Sequence, residues 1–268
     1  MNKEDSSIAK WLVTLSYIIM LGTNAAAVLL PLNGLTTQEV SDTYPNLFAP
    51  AGLTFAIWSV IYLFLGAFVV YQWLKPAAGS FFSDQKNRKT LRLTFILSSI
   101  LNSLWLFAWQ YLQIDLSVII MLGLLGVLIY INHLLAKMSF KVIGFICVRV
   151  PFGIYFGWIT IATIANITAF LVDKEIPLFQ NNQVLWTVII LLVGLVIIST
   201  TILRNHNIAY GLATLWAYYG ILLKHQAADG WNSKYPMIIT TVIISLVIIV
   251  VVCLYEVVQE IKKQKNVI

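Results

Sequence analysis

Phe55, Trp58 and Tyr62 recur three and four residues apart, a spacing that puts three aromatic rings on one face of a helix. Asn102 and Trp105 share a second helical face, and Trp158, Ala162 and Asn166 recur every four residues on a third. Tryptophan faces stack on flat apolar molecules, and a few amides among them fix a bound molecule's orientation. Ordinary helix packing explains the same stripes, so the spacing alone leaves both readings open. Arg149 lies in an apolar run, eight residues beyond Lys141, or ~12 Å along a helix. At that depth an ionisable side chain is a candidate for function, for instance as partner to a ligand carboxylate. Snorkelling of its guanidinium to the headgroups is the competing reading.

The elements that must position these residues are membrane spans. The chain is 60% hydrophobic and 10% charged, with a mean hydropathy of +0.86. Soluble domains carry roughly a quarter charged residues, and a helix of about 20 apolar residues crosses ~30 Å of hydrocarbon. The pattern predicts an all-α integral membrane protein with eight spans, near 9–31, 54–74, 93–112, 116–136, 144–171, 184–203, 207–223 and 237–256. Pro45 and Pro50 punctuate the loop before the second span, with Thr54 expected as N-cap. The preceding outer segment, 32–53, is long for a helix connection and is expected to act as a lid over an aromatic-walled pocket.

The net charge of +6 is distributed by side. Lys3 and Lys10, the group Lys75, Lys86, Arg88, Lys89 and Arg92, then Lys137 and Lys141, Arg204, and Lys262, Lys263 and Lys265 fall at one set of span ends. The alternate loops hold only Lys174, Lys224 and Lys234 among basic residues and carry Glu39, Asp42, Asp115, Asp173, Glu175 and Asp229. By the positive-inside rule both termini are cytoplasmic. The basic balance therefore reports orientation in a bilayer, and no nucleic-acid partner is expected.

Other chemistry has no signature. Phosphate-loop, H-E-x-x-H and G-x-S-x-G patterns are missing, and no catalytic residue is assigned. Cys147 and Cys253 sit in apolar runs, which argues against a disulfide framework or a cysteine metal site. His133, His206 and His225 are scattered over both sides, so no metal site is expected. Acidic residues are missing from the spans until Glu256, against a carboxylate proton relay.

Three segments carry a family resemblance. Pro50, Phe55, Ile57, Trp58, Ile61 and Tyr62 follow the spacing of one motif. Leu101, Asn102 and Trp105 follow a second, and Tyr155, Gly157, Trp158, Ala162 and Asn166 a third. In this order the chain resembles the tryptophan-rich sensory protein family (TspO/MBR, the translocator protein family). Ala51, Ala56 and Ile154 stand where that pattern has prolines. The resemblance covers about 9–171 and implies a five-helix bundle over 1–175, followed by a three-helix extension over 176–268. It implies a ligand pocket between helices, with Trp58, Asn102, Trp105, Trp158, Ala162 and Asn166 as ligand-binding candidates. The implied function is a sensor, carrier or binding protein for a hydrophobic or tetrapyrrole, porphyrin-like ligand in a cell membrane, read as a bacterial plasma membrane. No cofactor is required, and a homodimer is compatible with this reading. Two alternatives stand beside it: a permease-like or immunity subunit acting through protein contacts, and a porphyrin-degrading enzyme.

Overall fold

Long apolar runs separated by short polar breaks, such as these, satisfy their backbone groups in a bilayer as helices. The computed structural model describes residues 3–30, 32–74 and 85–265, and among them every regular element is helical. Part of the expected basic loop, Lys75 included, lies outside the described residues. The elements are α1 (Lys3–Leu29), α2 (Thr37–Asp42), α3 (Ile57–Tyr71), α4 (Gln85–Gln110) and α5 (Ile114–Ala136). There follow α6 (Val142–Gly144), a π turn (Phe145–Arg149), α7 (Val150–Asp173), α8 (Pro177–Gln180), α9 (Gln183–Asn205), α10 (Ile208–Gln226) and α11 (Pro236–Lys265).

By length and composition, seven stretches among the described residues can cross a membrane: Ser7–Leu29, Gly52–Tyr71, Gln85–Gln110, Ile114–Ala136, Val142–Asp173, Gln183–Asn205 and Pro236–Lys262. The remaining expected span falls on α10, a 19-residue helix carrying Thr214, three tyrosines and His225. Those polar and aromatic residues lower its hydropathy. Tyr210, Thr214, Tyr218 and His225 are all buried, so their polar groups are covered by protein.

The chain divides into two compact units. The first comprises residues 1–43 and 58–152, and the second residues 44–57 and 153–268. The line between them differs from a division after residue 175: it cuts α7 after Phe152 and assigns the loop before α3 to the same unit as α9, α10 and α11.

In the first unit α4 packs on both α1 and α5. Phe68, Phe95 and Phe152 form its aromatic core, with ring centroids 5.1 to 6.1 Å apart. Asn132 on α5 donates to the Phe152 carbonyl at 3.1 Å, tying α5 to the first turn of α7. In the first turn of α7, Pro151 supplies no N–H and its ring crowds the carbonyl four residues back. The helix accommodates it by widening, and Val150 N donates to the Phe145 carbonyl across a π turn.

In the second unit α10 is the inner helix, packed on α9 and α11. Gly153 and Gly157 form a G-x-x-x-G stripe facing it. A Cβ at Gly157 would lie 2.5 Å from the Tyr210 carbonyl oxygen and 2.9 Å from Ala213 Cβ. Only a residue without a side chain allows that approach, and in a bilayer close backbone packing is what holds helices together. On the other flank of α10, Tyr218 donates its hydroxyl to the Leu191 carbonyl of α9 at 2.8 Å.

Candidate functional site

The expected aromatic stripe exists, with one change of membership. Residues Gly52–Ala56 form a 3-10 turn, and α3 begins at Ile57. Thr54 therefore lies inside the turn and does not cap α3; its N–H donates to the Ala51 carbonyl at 2.9 Å. The turn also removes Phe55 from the face of Trp58, and its ring instead meets Trp158 edge-on in the second unit (6.0 Å, 76°).

From Trp58 onward the first unit builds a ladder. Tyr62 stacks on Trp58 (5.6 Å, 15°), Trp58 on Trp105 (5.9 Å, 29°), and Trp105 on Trp109 (6.0 Å, 23°). Helix α3 supplies one pair four residues apart and α4 the other, so the helical repeat sets the ring spacing along each helix. Trp105 and Trp109 are buried, whereas Trp58 is half-buried.

Polar side chains fasten this ladder. Asn102, fully buried one turn from Trp105, accepts a 2.8 Å hydrogen bond from Asn24 of α1. At the other end Trp109 is not an interfacial belt residue: its indole N–H donates to the Thr37 carbonyl at 3.1 Å. Gln110 donates to the Leu35 carbonyl at 2.9 Å and accepts at its own carbonyl from Asn33 at 3.1 Å. Residues 33–37 are thus pinned to the end of α4. Helix α2 then starts with a capping box, in which Thr36 and Glu39 satisfy each other's backbone N–H groups. Those hydrogen bonds hold the Glu39 carboxyl below its usual range.

Arg149 is buried, with 6% of its surface exposed, inside the π turn of the first unit. It does not extend into solvent as a snorkelling side chain would.

The second unit holds Trp158, Ala162 and Asn166 on α7. Trp158 and Asn166 are buried and Ala162 is half-buried. The loop 44–57 lies in this unit and is tied to α10 by features that spacing did not reveal. The Trp216 indole donates to the Thr54 carbonyl at 2.9 Å, Ala51 N donates to the Gly220 carbonyl at 2.9 Å, and His225 Nε2 donates to the Leu47 carbonyl at 2.9 Å. Gly220 is required here because any Cβ would collide with the Thr54 side chain. Within the loop, Asn46 Oδ1 accepts from the N–H groups of Phe48 and Ala49, closing a turn after Pro45. Of these anchors, only the tryptophan was conspicuous in the sequence; the partners of Gly220 and His225 are more than 160 residues away.

A set of long apolar helices, each able by length and composition to cross a bilayer, defines a multi-pass membrane protein. The model of the TSPO-like protein family matches residues 10–255, and the chain belongs to that family. The match runs on past the five spans that the resemblance covered, through α9 and α10 and most of α11. No curated protein and no solved structure matches the chain.

Proposed function

We propose that the protein binds a flat hydrophobic ligand, of which a tetrapyrrole is the leading example, and serves as its membrane sensor or carrier. The observation that carries this is the stacked ladder of Tyr62, Trp58, Trp105 and Trp109. Near-parallel rings offer a planar π system a surface of its own geometry, and membership of a TSPO-like family supports a ligand-binding role. Asn102, tied to Asn24, holds the Trp105 face in register, while Arg149 is a candidate partner for a ligand carboxylate. Trp158, Ala162 and Asn166 are second candidates through the family resemblance. In this proposal α10 is an eighth span, and both termini lie on the cytoplasmic side, as the distribution of basic residues indicates.

The test is a tryptophan-quenching titration of the purified full chain with protoporphyrin IX, repeated with Trp58→Ala, Trp105→Ala and Trp158→Ala. Saturable quenching that weakens about tenfold in the first two variants is expected, the scale of one lost aromatic stack plus its area. Quenching that never saturates, or that is identical in both variants, overturns the proposal. The Trp158 variant then reports whether the second unit contributes to the same ligand.

A further inference from the structure

The α9–α10 corner and the end of α11 bring together His206, Glu256 and Glu260, three residues that the ligand proposal does not use. Their ligand atoms all lie within 4.8 Å of one another. Glu256 and Glu260 are one helical turn apart and so share a face of α11. His206 ends α9 in the left-handed conformation (φ 48°, ψ 50°), and Asn207 caps α10 immediately after it. The imidazole is thereby held against α11, with Nδ1 donating to Glu256 Oε2 at 2.8 Å.

The arrangement exceeds what an ion pair needs. Glu256 is only 2% exposed, and a single imidazolium would already satisfy it. The carboxylate of Glu260 adds a second negative charge at the same point. A doubly charged cation matches two carboxylates and a neutral imidazole. Beside the cluster is a cavity of about 620 Å³, bordered by His206 and Glu256 and walled by Leu203, Val251, Val252 and Tyr255. It leaves room for water or an exchangeable ligand on a bound ion.

We propose that His206, Glu256 and Glu260 form a binding site for a borderline divalent cation of the Zn2+ class. One imidazole nitrogen and two carboxylate oxygens suit such ions better than Mg2+ or Ca2+, which prefer all-oxygen shells. Three protein ligands leave a coordination position open toward the cavity. Ligand atoms about 2.0–2.2 Å from Zn2+ stand roughly 3.3–3.6 Å apart in tetrahedral geometry, so the His206–Glu256 contact would open by about half an ångström on binding.

The experiment is a calorimetric titration of the detergent-purified full chain, without a polyhistidine tag, with Zn2+, and in parallel with Co2+ followed by its visible absorption. The variants are His206→Gly and Glu260→Gln. Glycine suits the left-handed backbone, and Glu260→Gln leaves the His206–Glu256 pair intact, so neither change depends on refolding the corner. One saturable equivalent is expected, not displaced by a tenfold excess of Mg2+, with at least tenfold weaker binding in each variant and, for Glu260→Gln, which keeps the His206–Glu256 pair, an unchanged melting temperature. Absence of saturable binding, equal displacement by Mg2+, or undiminished affinity in both variants overturns the proposal.

Discussion

The first unit holds a stacked aromatic ladder beside an edge-on phenylalanine core, whereas the ring pairs of the second unit are tilted or edge-on. In the ladder, Tyr62, Trp58, Trp105 and Trp109 lie nearly parallel, 15° to 29° between planes, along two helices. In the second unit, Phe55 meets Trp158 at 76°, Phe156 tilts 47° against Tyr210, and Trp231 meets Tyr235 at 73°. Tilted and edge-on contacts place positive ring edges on negative faces and so fill space. Parallel stacks repeat one orientation, and a flat ligand can join that orientation. The second unit draws its cohesion instead from glycines that let backbones meet and from side chains that hold the loop 44–57. One unit is organised around ring faces, the other around close backbone approach.

The comparison breaks most visibly at Gly157. Gly157→Leu must displace the Tyr210 backbone, and we expect a loss of about 3 kcal/mol, the upper range for an overpacked contact. Thermal unfolding in detergent should show it as a large fall in Tm. An unchanged Tm would show that the second unit does not depend on this stripe. In the first unit Trp58→Ala should cost ligand affinity about tenfold while lowering stability less than Gly157→Leu does. Comparing quenching with melting curves separates the two effects.

Smaller effects sharpen the contrast. Asn102→Leu removes the bond to Asn24 and should cost ~1 kcal/mol in the membrane, where such bonds average below that. Trp216→Phe removes one donor to the Thr54 carbonyl and should cost about 1 kcal/mol. It should speed proteolysis within 44–57 without changing cleavage near Thr37. The smallest effect concerns Glu39. Its carboxyl is depressed by the capping hydrogen bonds, so its contribution to α2 is full above the ordinary glutamate pKa and is lost as pH falls through the depressed value. Hydrogen-exchange protection in α2, taken relative to the intrinsic rate at each pH, should therefore be flat at neutral pH and fall only in acid, and Thr36→Ala should abolish that dependence.

Much of this was legible in advance because the bilayer imposes a length and a periodicity. The spans expected at 116–136 and 184–203 became Ile114–Ala136 and Gln183–Asn205. Helical spacing placed Trp58 with Tyr62 and Asn102 with Trp105. Phe55 was misplaced because a 3-10 turn has three residues per repeat, and one such turn rotates everything before it off the helix face. The position of Trp109 near the outer end of its span is the same for a belt residue as for a buried donor. Its hydrogen bond to Thr37 depends on where a loop 70 residues earlier happens to lie.

Sequence by itself determined that this is a helical membrane protein, where its helices run, and which side chains each helix presents together. Those properties follow from local hydropathy and from the geometry of a single helix. Tertiary structure alone decided which faces meet: the ladder between α3 and α4, the glycine stripe of α7 against α10, and the gathering of His206 with Glu256 and Glu260. Each joins residues far apart in the chain, and their partners are chosen by close packing and buried hydrogen bonds that no spacing records.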